Sequence, residues 1–171
     1  VTLHVDIDFK RLKEEPDAIR QKVFALPLPF EIRETGGGLH VLANLKEAYD
    51  NGTEHYRRAE ELRSNLTHIL GGDPAPNHSA ALMRCVGSHN SKYGEPIEVT
   101  VARAGEPVDL VDVEALLDLY SGPLFTTRED YLPKDNVVSL DVPYTPIDHD
   151  AVLADMPTTG EGINGVQHKL L

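Results

Sequence analysis

The chain has 171 residues, of which 40% are hydrophobic and 26% are charged, and its formal net charge is −12 at pH 7. These values are typical of one globular domain, with or without a tail. No apolar run in the sequence approaches the roughly 20 residues that a membrane span needs, which excludes such a span. Cys85 is the only cysteine, which excludes an internal disulfide and a zinc site built on several thiolates.

The negative charge lies mainly in the C-terminal part of the chain. Residues 1–100 contain 12 Lys and Arg against 15 Asp and Glu, whereas residues 101–171 contain 4 against 13. Surfaces that bind nucleic acid are usually basic. The overall charge therefore counts against a polynucleotide partner, and only the first part is balanced enough for a local basic groove.

The first predicted element is a strand over residues 2–9, TLHVDIDF, in which polar and apolar residues alternate. One face is apolar and consists of Leu3, Val5, Ile7 and Phe9. The other face is polar and consists of Thr2, His4, Asp6 and Asp8. The chain begins at Val1 directly before this strand, so we expect it to be a piece of a longer protein.

The remaining elements predict an α+β domain with a small, mostly antiparallel sheet and packed helices. The predicted helices cover residues 14–26, 52–72 and 109–120, with Thr53 as an N-cap and Gly71 as the end of the second. The predicted strands cover residues 30–35, 39–45 and 96–104. After Gly122 the periodicity fades, and we predict a core domain over 1–120 and an acidic extension or linker over 121–171.

Three stretches carry residue types with a chemical use. Asp6 and Asp8 lie one strand repeat apart, roughly 7 Å, and two such carboxylates repel each other unless a cation or a proton lies between them. An edge strand whose acids face water explains the same pattern. Gly36–Gly38 before His40 permits a close backbone approach or anion binding, and equally a simple hairpin turn.

The third stretch is R-x-x-G-S-x-N-x-K, formed by Arg84, Gly87, Ser88, Asn90 and Lys92. A planar cation, a glycine turn, two polar side chains and a point charge suit a polyphosphate. A polar loop with a solvated lysine is the alternative. Each stretch alone is a weak signal, and the ordered set is more specific.

In this order the stretches resemble the archaeo-eukaryotic primase superfamily, and more narrowly the primase-polymerases of phages, plasmids and mobile elements. Asp6-Ile7-Asp8 matches the first motif, Gly38-Leu39-His40 the second, and RCVGSHNSK the phosphate-binding signature. The third acidic position falls on Asp73, with Asp109 and Glu98 as the other candidates. Gly38 replaces a common serine and Val86 replaces a common proline.

The resemblance implies an RRM-like catalytic core that performs template-directed nucleotidyl transfer, as a DNA primase, a DNA polymerase or both. Asp6, Asp8 and Asp73 would hold two Mg²⁺ or Mn²⁺ ions, which activate a 3′-hydroxyl and stabilise charge during an in-line displacement. The residues implied to contact the nucleotide's phosphates are His40, Arg84, Ser88, Asn90 and Lys92. His40 is counted among the catalytic residues as well.

The implied partners are a single-stranded DNA template, NTP or dNTP, and a helicase domain in the full-length protein. The tail resembles the start of a small primase-associated domain that is cut off at Leu171. The implied location is the cytoplasm of a bacterium or a phage-infected host cell, with no membrane partner. Two other functions stay open: a non-catalytic replication-initiator domain that binds nucleotide or DNA, and another D-x-D metal-dependent transferase or nuclease.

Overall fold

A computed structural model of the chain describes residues 1–92 and 94–131, which all lie in one compact unit. The strands are β1 (Thr2–Asp8), β2 (Glu31–Glu34), β3 (Gly38–Asn44), β4 (His89–Asn90), β5 (Ile97–Glu98) and β6 (Thr100–Arg103). The helices are α1 (Pro16–Phe24), α2 (Glu54–Ile69) and α3 (Leu110–Asp118). Two 3-10 turns, Phe9–Arg11 and Glu129–Tyr131, complete the described elements.

The main sheet has four antiparallel strands in the order β1-β3-β2-β6, and β4 pairs with β5 in a separate two-stranded sheet. With three helices packed in the same unit, this confirms the predicted α+β class. β1 is an edge strand, and its register with β3 places Asp6 opposite His40 and Asp8 opposite Gly38. The two motifs that the sequence separates by some thirty residues are therefore neighbours on one face of the sheet.

The hydrophobic core lies between the other face of this sheet and the three helices. Leu3, Val5 and Ile7 of β1 are at most 1% exposed, as the alternation of polar and apolar residues predicts. The helices contribute apolar residues that are also buried: Ile19, Val23, Ala59, Leu62, Leu66, Val113, Leu116 and Leu117. Burial of these side chains stabilises the sheet that carries the polar face.

Helix α2 has the ends that its sequence predicts. The Thr53 hydroxyl accepts a hydrogen bond from the Tyr56 backbone N–H at 3.2 Å, which satisfies a donor of the first turn. After the helix, Gly71 adopts φ +58°, a left-handed conformation that glycine tolerates best. At Gly72 the backbone lies so close to β1 that a Cβ there would be 2.4 Å from Val5 Cγ1. This turn brings Asp73 to the outer edge of β1.

The prediction of a single strand over residues 96–104 was wrong. The chain changes partners at Val99, whose backbone N–H donates to Ser88 O and whose carbonyl accepts from Gly87 N. Residues before this point form β5 beside β4, and residues after it form β6 beside β2. Only Val99 of the predicted apolar face is buried, whereas Ile97 and Val101 are exposed. The alternation was real, but the segment divides between two sheets.

Residues 121–131, which the sequence analysis assigned to the extension, pack on the core. Phe125 is 2% exposed, and Leu124 N donates to Ile69 O at 2.8 Å. Residues 132–171 lie outside the described residues, so the predicted primase-associated segment stays a prediction. In the part of the chain that the structure describes, no helix is long and apolar enough to cross a membrane.

Candidate active site

Asp6 and Asp8 lie on the polar face of β1, and their environments differ. Asp8 caps the 3-10 turn that follows the strand, because its Oδ1 accepts from Lys10 N at 3.2 Å. Its Oδ2 lies 3.4 Å from Lys10 Nζ. Asp6 has a raised pKa, first because of burial and then because of the nearby negative charges of Asp73 and Asp8. Strands disfavour Asp. In β1, Asp8 caps the following 3-10 turn, whereas Asp6 lies near the carboxylates of Asp73 and Asp8.

His40 is buried behind Asp6. Its Nε2 lies 3.7 Å from Asp6 Oδ1, and the side chain is 2% exposed. Burial, and after it the positive charges of Arg84 and Arg33, lower the pKa of His40 to about 4. The imidazole is therefore neutral at pH 7. Its Nδ1 is buried and has no hydrogen-bond partner among the described residues.

The glycine turn between β2 and β3 requires glycine for close approach. A Cβ at Gly38 would lie 1.9 Å from the carbonyl oxygen of Ile7, a backbone atom that cannot move aside cheaply. Gly36 adopts φ +80°, which also favours glycine. The departure from the common serine at Gly38 thus has a steric cause in this chain. The strands β1 and β3 leave no room for a side chain there.

Two polar residues of the third motif, Ser88 and Asn90, form hydrogen bonds that hold its loop in shape. The backbone N–H and the hydroxyl of Ser88 both donate to Cys85 O, at 3.1 and 2.6 Å, around Gly87 with φ +81°. The Asn90 side chain is buried, donates to Thr35 O at 2.7 Å and accepts from Lys92 N at 3.1 Å. Asn90 therefore joins the loop to the glycine turn and fixes the backbone of Lys92.

Asp73 is the candidate third acid that lies beside Asp6. Its backbone N–H donates to Asp6 O at 2.7 Å, along the free edge of β1. Its Oδ1 accepts from Arg11 Nη1 at 3.1 Å and from Ala75 N at 3.0 Å. Asp109 instead pairs with Lys46 at 2.5 Å, just before α3. Glu98 lies in β5 opposite His89.

A cavity of about 40 Å³ lies where the three motifs meet. The described residues that line it are Asp6, Ile7, Asp8, Thr35, Gly37, Gly38, Arg84, Asn90 and Lys92. Acidic side chains from β1 and basic side chains from the loop face the same space, and Arg84 and Lys92 partly offset the rise in the pKa of Asp6. This volume suits an ion, a few waters or one charged end of a larger ligand.

The sequence-predicted residues divide into two groups in this geometry. Asp6, Asp8, Arg84, Asn90 and Lys92 line the cavity, whereas His40, Ser88 and Asp73 are absent from its described lining. His40 is buried behind Asp6, the Ser88 hydroxyl is used within its own turn, and Asp73 lies at the strand edge.

Four further residues belong to the same region. Thr35 lines the cavity, and the His4 ring, which is buried, lies with Nε2 2.8 Å from Pro76 O. Arg33 lies opposite His40 in the β2–β3 register, so strand parity contained a signal for it. Arg11 contacts Asp73 from 62 positions away, and no local pattern indicates such a contact.

The residues fit a divalent cation in part. Asp6 and Asp8 supply carboxylate oxygens, the donors that Mg²⁺ and Mn²⁺ prefer, and their mutual repulsion is relieved by a cation. Among the described residues, however, no three or more His, Cys, Asp or Glu side chains are grouped so that they could hold a metal ion. The described contacts of the Asp73 carboxylate are with Arg11 and Ala75.

No protein-family model matches the chain, and no curated protein sequence matches it significantly. Among solved structures, the chain is similar to the AEP domain of the cyanophage S-2L primase-polymerase, with 20% identity and a TM-score of 0.49. The alignment covers 68% of this chain and 59% of that one. Such a similarity concerns the fold and assigns no activity to this chain.

Proposed function

We propose that the chain is the catalytic part of a template-directed nucleotidyl transferase, a DNA primase or polymerase of the primase-polymerase type. One observation carries the proposal: three motifs from separate parts of the sequence line one cavity. Asp6 and Asp8 come from β1, Gly37 and Gly38 from the hairpin turn, and Arg84, Asn90 and Lys92 from the loop after α2. Residues of these types that were scattered along the sequence by chance would have no reason to come together in one cavity.

The charges of the cavity support binding of a nucleoside triphosphate through its phosphates. Arg84 offers a planar guanidinium for two parallel hydrogen bonds, and Lys92 offers a compact point charge. Positioning and charge stabilisation account for most of the catalysis of phosphoryl transfer. Because the cavity is small, only the phosphate end enters it, and the base and sugar lie outside.

Asp6 and Asp8 are the residues that would hold divalent cations, Mg²⁺ or Mn²⁺, with Asp73 as the proposed third ligand. Two such ions, when bound, activate a 3′-hydroxyl and neutralise charge on the transferred phosphate. His40, neutral at pH 7, lies next to the Asp6 carboxylate, with Nε2 3.7 Å from Asp6 Oδ1. The proposed contact of His40 with a phosphate requires that the ring become accessible.

The proposed partners are a single-stranded DNA template and an NTP or dNTP, in the replication of a phage, plasmid or mobile element. A helicase domain in a longer protein belongs to the same proposal. Residues 1–100 are close to charge balance, which permits a weak, salt-dependent grip on DNA. The cytoplasm of a bacterial or phage-infected cell is the compartment in which these partners occur.

The test is nucleotide incorporation by the full chain on a single-stranded template, with and without an annealed primer, in Mn²⁺ or Mg²⁺. D6N should abolish the product, and D17N should not, because Asp17 is an exposed acid of α1. Product without a primer would show priming. Activity of D6N near that of the wild type would overturn the proposal, and degradation of the template instead of extension would identify a nuclease.

A second candidate is a replication-initiator domain that binds nucleotide without chemistry. The observation that favours it is that the described residues contain no group of three or more side chains that could hold a metal ion, while Asp73 is paired with Arg11. Nucleotide binding that depends on Arg84 and Lys92, with no incorporation under any metal condition, would favour this candidate. In that case charge reversal at Lys92 should weaken nucleotide binding, and neither this variant nor the wild type should form product.

A further inference from the structure

The 3-10 turn after β1 supplies basic partners for two of the three candidate acids. The 3-10 turn Phe9–Arg11 follows its cap Asp8, so Lys10 and Arg11 come directly after the end of β1. Lys10 lies against Asp8, with Nζ 3.4 Å from Oδ2. Arg11 lies against Asp73, with Nη1 3.1 Å from Oδ1. The sequence D-F-K-R thus places both counter-charges within three residues of Asp8.

Arg11 is held from both sides. Its guanidinium carbon lies 5.1 Å from the centre of the Tyr131 ring, a cation–π distance. Its carbonyl oxygen accepts from Arg128 N at 2.7 Å, and its side chain is only 16% exposed. Partial burial makes the pair with Asp73 stronger than an exposed ion pair. The segment after the core therefore keeps Arg11 on Asp73.

Asp73 lies beside Asp6, but its carboxylate is bound by Arg11. The Asp73 backbone N–H donates to Asp6 O at 2.7 Å, yet the described bonds of the Asp73 carboxylate go to Arg11 and Ala75. Asp6 and Asp8 line the cavity, which Arg84 and Lys92 also line. The turn after β1 thus supplies a basic partner for Asp8 and one for Asp73.

We propose that Arg11 is the resident counter-ion of Asp73, and that a divalent cation at the Asp6–Asp8 face recruits Asp73 only by displacing Arg11. Arg11 is in this sense a positioning residue that sets the cation affinity of the site. The inference rests on the proposed function, because it concerns the same three acids. It adds a residue for which the sequence motifs provide no role.

The test measures binding of Mn²⁺ alone to the full chain, from the loss of the free-ion electron paramagnetic resonance signal. R11Q removes the charge and should bind Mn²⁺ roughly tenfold more tightly than the wild type, because a nearby unit charge no longer opposes the ion. R11K keeps a charge and should stay close to the wild type. The double variant R11Q/D73N should lose the gain, because the recruited ligand is then absent.

R20Q is the matched control. Arg20 also combines an ion pair, with Glu34 at 2.8 Å, and a cation–π contact, with Phe9 at 4.8 Å, but it touches none of the three acids. Mn²⁺ affinity should be unchanged in R20Q. Should R11Q fail to fold, Y131A loosens the hold on Arg11 and should raise the affinity by a smaller factor.

Unchanged or weaker Mn²⁺ binding in folded R11Q would overturn the inference, and so would the same gain in R20Q. The wild-type incorporation assay separates this failure from that of the proposed function. Product from the wild type together with unchanged R11Q affinity would remove the role of Arg11 alone. Absence of Mn²⁺ binding in every variant, with no product, would remove both.

Discussion

Asp6 and His40 lie directly across the β1–β3 pair, with Asp6 Oδ1 3.7 Å from His40 Nε2. The carboxylate and the imidazole respond to their surroundings in opposite ways. Burial and two neighbouring acids raise the pKa of Asp6, whereas burial and two arginines lower the pKa of His40. Both shifts favour the neutral form, so the two groups are not an ion pair at pH 7, and each makes the stability of the folded protein dependent on pH.

Replacement of Asp6 by Asn should separate activity from stability. Nucleotide incorporation should fall on the order of a hundredfold or more. The free energy of unfolding at pH 7 should rise, because a carboxylate with a raised pKa is charged there at a cost. Below the pKa of Asp6 in the unfolded chain, Asp6 is protonated in both states and the cost is absent. The cost develops as pH rises from that value through the pKa of Asp6 in the folded protein. The advantage of D6N should therefore vanish at about pH 4 and below.

Urea unfolding of D6N and wild type at several pH values measures this difference, with D17N as the control for loss of an exposed acid. Equal stability of D6N and wild type at pH 7 would contradict the assigned pKa direction. Loss of activity together with loss of folding would show that Asp6 is needed for the structure instead.

His40 should make the folded protein sensitive to acid. Its pKa is lowered from 6.5 to about 4, so the unfolded chain takes up a proton that the folded chain does not. The stability that this provides is present above about pH 6.5 and is lost as pH falls towards 4, by about 3 kcal/mol at most. His40→Leu should remove that part of the loss between pH 7 and pH 4.

The measurement is the free energy of unfolding of His40→Leu and wild type against pH. His78→Gln is the control, since His78 is exposed and should leave the acid sensitivity intact. A wild-type slope that persists unchanged in His40→Leu would assign the acid sensitivity to other groups.

Gly38 should tolerate no side chain. Gly38→Ser restores the residue that is common in the resembled family, yet its Cβ would meet Ile7 O at 1.9 Å. We expect the free energy of unfolding to fall by at least about 3 kcal/mol, as in strongly overpacked sites. Gly122→Ala, at a position where a Cβ meets nothing within 4 Å, should be nearly neutral. Thermal unfolding of both variants tests this, and a stable, active Gly38→Ser would refute it.

Asn90 should act through Lys92. Asn90→Ala leaves Thr35 O and Lys92 N without their buried partner. The expected loss of stability is about 1–3 kcal/mol. Nucleotide affinity should fall as well, because the backbone of Lys92 is no longer fixed. Ser91→Ala, at an exposed neighbour, should change neither quantity. Affinity that stays at the wild-type value in folded Asn90→Ala would limit Asn90 to a structural role.

Local patterns in the sequence determined the α+β class and most of the elements. Alternation in residues 2–9 predicted which side chains of β1 are buried, since a strand turns successive residues to opposite faces. The cap Thr53 and the glycine after α2 predicted that helix, because both satisfy backbone groups within a few residues. Of the nine described residues that line the cavity, eight belong to the three stretches that the sequence singled out.

Tertiary structure decided what depends on partners distant in the chain. The division of residues 97–103 into two strands depends on Ser88 and Gly87, which bond Val99 and draw the segment out of the main sheet. The burial of His40 depends on its place in a central strand. The ion pair of Arg11 and Asp73 joins residues 62 positions apart. Propensity and periodicity are local properties, whereas burial and charge pairing depend on which surfaces the complete fold brings together.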